Sequence, residues 1–235
     1  MERSKKAYSS RQLDGKTANV RERAAAPSAA ALGVAFLLAV VFGAQTEAWS
    51  WGPGLLILGF AAILVMVNPR VCFRLGAVGV TLILAIVWIV GRAIQSPVLD
   101  AARADILLAI GLVSCSWITY CLAPDGKAMC WLHVGLASTA LANLALALVQ
   151  IQQPELVWPY ASKPSPNPTG FFGHYNYFAN FVGGVGLLCL CRASFVKSCL
   201  WMRTLYVLPF LGAVIMVPLS GSRGGTVSLA AGSSL

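Results

Sequence analysis

Apolar residues run in long blocks along this chain, separated by short polar connections. The blocks lie at about 29–46, 51–67, 75–92, 104–122, 129–150, 174–191 and 203–219, and another begins near Gly224. Each of the seven is close to the roughly 20 residues that a helix needs to cross a bilayer core. None shows the alternation over about ten residues that marks a strand of a membrane barrel. The connections carry breakers: Pro53, Asn68-Pro69, Pro97 and Pro124-Asp125-Gly126. The pattern predicts an all-α fold, a polytopic transmembrane bundle of about seven complete spans plus a truncated eighth. At about 1.5 Å per residue, the dozen residues after Gly224 are too few to cross the hydrocarbon core.

Two segments depart from the apolar pattern. Residues 1–28 are polar and carry Arg3, Lys5, Lys6, Arg11, Lys16, Arg21 and Arg23. They lack apolar periodicity and are expected to form a disordered basic tail ahead of a transmembrane domain at 29–235. The length of this tail, and the span that follows the first apolar block at once, argue against a cleaved signal peptide. The longest connection, about 151–173, holds Pro154, Pro159, Pro164, Pro166 and Pro168. So many prolines favour an extended, stiff segment over a helix.

Composition agrees with lipid as the solvent. The chain is 58% hydrophobic and 11% charged, whereas soluble domains are about 45–50% apolar and about 25% charged. The net charge of +9 would suggest nucleic acid in a soluble protein, but here the cations sit in the tail and between spans. With the N-terminus on the cytoplasmic side, 13 of the 17 Lys and Arg fall on inside segments, as the positive-inside rule requires. Arg92, Arg103, Lys163 and Arg223 fall outside. The expected location is a bacterial inner membrane, with lipids and not nucleic acid as surroundings. Trp49, Trp51 and Trp158 fall near outside interfaces, and Trp131 and Trp201 near inside ones. The seven cysteines avoid outside loops and form no Cys-x-x-Cys pair, so free thiols are expected and no metal site or other cofactor is implied.

Candidate chemistry concentrates in two stretches. The first reads Pro168-Thr169-Gly170-Phe171-Phe172-Gly173-His174-Tyr175-Asn176-Tyr177-Phe178-Ala179-Asn180. Asn176 and Asn180, four residues apart, share a helix face. Amides inside lipid are costly unless they meet partners, so this face is expected to point inward. Asn143 and Gln150 on the preceding span are candidate partners. His174 offers either a proton-transfer group or a cap that orders the loop. The second stretch, Ser220-Gly221-Ser222-Arg223-Gly224-Gly225-Thr226, joins the last two apolar blocks on the outside. Its glycines allow close backbone approach, Ser222 offers a donor, and Arg223 offers a fork suited to phosphate at a helix N-terminus. A snorkelling arginine in a tight turn is the alternative.

Taken together, Gly170-Phe171-Phe172-Gly173, Asn176-Tyr177-Phe178-Ala179 and, about two spans later, Ser220-Gly221-Ser222-Arg223-Gly224 resemble the O-antigen ligase and polymerase family. Those enzymes carry a Gly-Thr-Phe-Gly-Asn-Pro-Asn-like turn followed by a Gly-Ser-Arg-Gly turn. The resemblance is specific over about 165–230, and His174-Tyr175 stand where the family has Asn-Pro. It implies transfer or polymerisation of an undecaprenyl-pyrophosphate-linked saccharide onto a lipid-linked or other saccharide acceptor, at the outer face of the inner membrane. By the resemblance Arg223 and Ser222 are pyrophosphate-binding candidates, and Lys163, Arg92 and Arg103 are further cations on the same side. Gly170, Gly173, His174, Asn176, Tyr177 and Asn180 are the loop candidates. The donor is already activated, so no cofactor is implied. Family members continue into a further outside loop that holds more Arg and His. No residue here matches those, so no catalytic residue is assigned, and the chain as given is expected to be an inactive fragment. A transporter or channel, and a non-catalytic scaffold or decayed gene product, are the competing readings.

Overall fold

A computed structural model describes residues 27–42, 48–66, 77–124, 126–156, 166–195 and 200–234. The basic tail up to residue 26, Trp158 and Lys163 lie outside the described residues. The described chain is all-helical, with no strand: α1 (Pro27–Phe42), α2 (Ala48–Met66), α3 (Ala77–Gln95), α4 (Leu99–Leu122), α5 (Gly126–Gln152), α6 (Tyr175–Phe195), α7 (Leu200–Leu219) and α8 (Arg223–Ser233). Each apolar block contains one of these helices. Among the described residues α5, α6 and α7 are long and apolar enough to cross a membrane, and Pro27–Phe42, Gly52–Val65, Gly79–Gln95 and Ala109–Leu122 are shorter apolar stretches.

The chain divides into two compact units, one taking in Met1–Leu32 and Ile57–Trp131, the other Gly33–Leu56 and Leu132–Leu235. In the first, α3 packs on α4. Only residues 96–98 separate these helices, and the Ser96 hydroxyl donates to the Val98 carbonyl and accepts the Val98 N–H. The connection is thus shorter than the span boundaries suggest. Arg92 lies in the last turn of α3, which continues to Gln95, and Arg103 lies within α4, where a connection was expected.

The second unit is built on α5 to α8. Leu144 and Ala147 of α5, Phe178, Ala179 and Val182 of α6, Ala213, Met216 and Val217 of α7 and Leu229 of α8 form one buried cluster. A second cluster joins Ala137 and Ala140 to Val185, Cys189 and Tyr206. Here the buried His133 ring meets Tyr206 edge-on, centroids 6.5 Å apart.

Helices in lipid gain little from burying apolar area and associate through close packing, which small residues permit. Gly186 is one such point: a side-chain carbon there would lie 3.1 Å from Ala213 Cβ and 3.2 Å from Phe210 Cα. Near α5, a carbon on Gly135 would come within 3.4 Å of Gly33 Cα on α1.

The buried line of α6 is therefore Phe178, Ala179, Val182, Gly183, Val185, Gly186 and Cys189. Asn176 and Asn180 share a face as their spacing requires, but both are exposed. The expectation that they point inward is corrected, because α7 and α8 pack against the small-residue line instead. Cys115, Cys121, Cys130, Cys189 and Cys191 are free thiols.

Candidate functional site

Two turns converge at one end of the α5–α8 bundle. The first precedes α6. The Phe172 N–H donates to the Thr169 carbonyl at 3.0 Å, which closes a four-residue turn with Gly170 and Phe171 at its centre. Gly170 has φ 59°, and no non-glycine residue among the described ones has positive φ, the signature of a type II′ turn. Pro168, Thr169 and Gly170 are all buried.

Irregular backbone buried this way must find partners for its polar groups. α5 supplies them. The Gln150 Oε1 accepts the N–H groups of Thr169 at 2.9 Å and Gly170 at 2.8 Å, and its Nε2 donates to the Gly170 carbonyl at 3.1 Å. The Asn143 Oδ1 accepts the Phe171 N–H at 3.0 Å. Seven residues apart is two helical turns, so both amides project from one face of α5. Their partner is the backbone of the turn, and this replaces the expectation that they serve Asn176 and Asn180. A side chain on Gly170 would collide with Asn143 Oδ1 and lie 3.0 Å from Phe178 Cδ2, so the left-handed conformation and the crowding both demand glycine.

The turn passes into α6 through His174. Its Nδ1 accepts the Asn176 N–H at 3.1 Å, and its carbonyl accepts the N–H groups of Tyr177 and Phe178. Of its two expected roles, the cap is the one this geometry displays. Gly173 is half-buried in the bend just before it.

The second turn links α7 to α8. α7 ends at Leu219, and Gly221, with φ 74°, donates its N–H to the Pro218 carbonyl at 2.9 Å. In a Schellman ending the next N–H would bond the Val217 carbonyl directly. Here the Ser220 hydroxyl bridges that gap. It donates to the Val217 carbonyl at 2.7 Å and accepts the Ser222 N–H at 3.4 Å. Ser222 then caps α8, its Oγ accepting the Gly225 N–H at 3.2 Å. Ser222 is buried, and its hydroxyl oxygen accepts the cap bond, so the side chain of this expected ligand donor also serves as the structural cap of α8.

The two turns meet side by side. A side-chain carbon at Gly221 would lie 3.2 Å from Asn167 Nδ2, and one at Gly225 would lie 2.8 Å from Ala179 Cβ on α6. Arg223 opens α8 and is exposed, and its guanidinium makes no hydrogen bond or ion pair to another described residue. Beside it, a carbon on Gly224 would meet nothing within 4 Å. The helix thus presents an open N-terminus with a free cation, an arrangement able to hold an anion.

The other expected cations do not join this description: Arg92 and Arg103 belong to the first unit, and Lys163 lies outside the described residues. Among the described residues no group of three His, Cys, Asp or Glu could hold a metal. Comparison with protein families, with curated proteins and with solved structures finds no match.

Proposed function

We propose that this chain belongs to a membrane glycosyltransferase of the O-antigen ligase and polymerase type, acting at the outer face of a bacterial inner membrane. The donor is an undecaprenyl-pyrophosphate-linked saccharide. An acceptor sugar hydroxyl attacks the anomeric carbon, its proton passes to a base, and the bond to the pyrophosphate oxygen breaks. Undecaprenyl pyrophosphate departs with the charge that develops on that oxygen. Arg223 at the open N-terminus of α8 stabilises this charge, as a preorganised cation does best.

One observation carries the reading. The two motif stretches, far apart in sequence, pack against each other at one end of the bundle, with Arg223 exposed beside them. The test is glycan transfer from an undecaprenyl-pyrophosphate-linked saccharide in cells producing the protein from its whole reading frame. Arg223→Ala should abolish transfer. Unchanged transfer with Arg223→Ala would remove the assigned role, and saccharide uptake into proteoliposomes without transfer would point to a transporter.

A further inference from the structure

The outward face of α6 changes character along its length. Its first turns expose Asn176, Tyr177 and Asn180, and the next exposed positions are Gly184 and Leu188. At about 100° per residue, Asn176, Asn180 and Tyr177 fall within one arc of roughly 100°. Amides turned toward hydrocarbon are costly, so a ligand or a wet surface suits this arc better than acyl chains.

The aromatic groups here are held in place. The His174 ring stacks on Tyr175 with centroids 4.4 Å apart and an interplanar angle of 23°, and it meets Tyr177 at 5.6 Å. Its Nδ1 is occupied as an acceptor, so the neutral ring carries its proton on Nε2, available to donate outward. Tyr177 is 62% exposed.

We propose that His174, Asn176, Tyr177 and Asn180 form a saccharide platform, which takes the first sugar of the pyrophosphate-linked donor. The inference rests on the donor reading above. A pyranose has a C–H face that suits the electron-rich face of an aromatic ring, and paired hydroxyls at its edge that need a donor and an acceptor together. A carboxamide offers both. Position agrees with chemistry. α8 packs on α6 at Ala179 through Gly225, two residues from Arg223. The helix that carries the cation assigned to the pyrophosphate thus packs on the same first turns of α6 that carry the platform, and in the donor the first sugar is bonded to that pyrophosphate.

The test compares two probes binding to the full chain in nanodiscs: undecaprenyl pyrophosphate, and the same lipid carrying glucose, galactose or N-acetylglucosamine. In the wild type at least one sugar should tighten binding about tenfold. Tyr177→Ala and Asn180→Ala should each erase most of that gain without weakening the sugar-free lipid, and Tyr177→Phe, which keeps the ring, should retain it. Arg223→Ala should weaken both probes alike. If all sugars leave wild-type affinity unchanged, or the gain survives both alanine variants, the platform is wrong while the donor reading stands. If neither lipid binds the wild type, the donor reading fails and the platform falls with it.

Discussion

The two turns at the site reach similar ends by opposite means. The turn between α7 and α8 is held by its own residues: Ser220, Gly221 and Ser222 satisfy one another and the helix ends on either side. The turn before α6 is held from a distance, by four hydrogen bonds from Gln150 and Asn143 of α5. A self-satisfied turn keeps its shape if its surroundings shift. A turn gripped by another helix is tied to that helix, and any movement of α5 moves it. The pair thus sets a locally fixed helix N-terminus beside a turn whose position is set by tertiary structure.

The strongest way to break this comparison is Gly170→Ala. The new methyl group meets Asn143 Oδ1, in a left-handed conformation. That conformation costs about 1–2 kcal/mol, and an orphaned Phe171 N–H adds about 1–3 kcal/mol. A loss of about 2–5 kcal/mol should appear as a large fall in the thermal midpoint in detergent, read by exposure of buried thiols such as Cys189.

Gln150→Leu keeps the bulk and removes three bonds to the turn. The expected cost is about 2–3 kcal/mol, below the simple sum because hydrogen bonds within membranes are worth less singly than isolated ones. Hydrogen exchange sharpens the result. The amides of Thr169 and Gly170 should exchange faster, while those of Gly225 and Thr226, bonded to Ser222, should not change. Equal acceleration at both turns would refute their independence.

Ser220→Ala is the converse experiment. It leaves the Val217 carbonyl and the Ser222 N–H without their bridge. About 1–2 kcal/mol should be lost, with faster exchange at Ser222 and none of it at Gly170.

This asymmetry also explains what could be read from the residues alone. Helix order followed from apolar run length, and the Ser220–Gly225 turn from residue types with local uses. Asn143 and Gln150 stood out as amides on an apolar span that could serve as partners, and helix geometry puts positions seven apart on one face. Which backbone would approach that face depends on how helices pack, and spacing does not encode it. The same limit applied to Asn176 and Asn180. Their separation implies a common side of α6, but whether that side is inward depends on where α7 finds its closest approach. One such close contact is at Gly186, against Ala213 and Phe210. Ser222 was legible as a hydroxyl donor, yet a serine just before a helix is also among the commonest caps, and the fold uses its oxygen in that way.

The smallest expected effect on stability belongs to Arg223, and for that reason it is the most informative. Its side chain is exposed and unpartnered among the described residues, so Arg223→Ala should leave the thermal midpoint unchanged. Ser222→Gly should also fold, because glycine replaces serine at a helix cap at little cost and adds no bulk at this buried position. If glycan transfer is lost in Arg223→Ala and kept in Ser222→Gly, the cation serves the ligand and its neighbour serves the helix. If Arg223→Ala instead lowers the midpoint as much as Ser220→Ala, the arginine is part of the turn's structure, and the difference drawn here between a self-satisfied frame and a free cation mounted on it is lost.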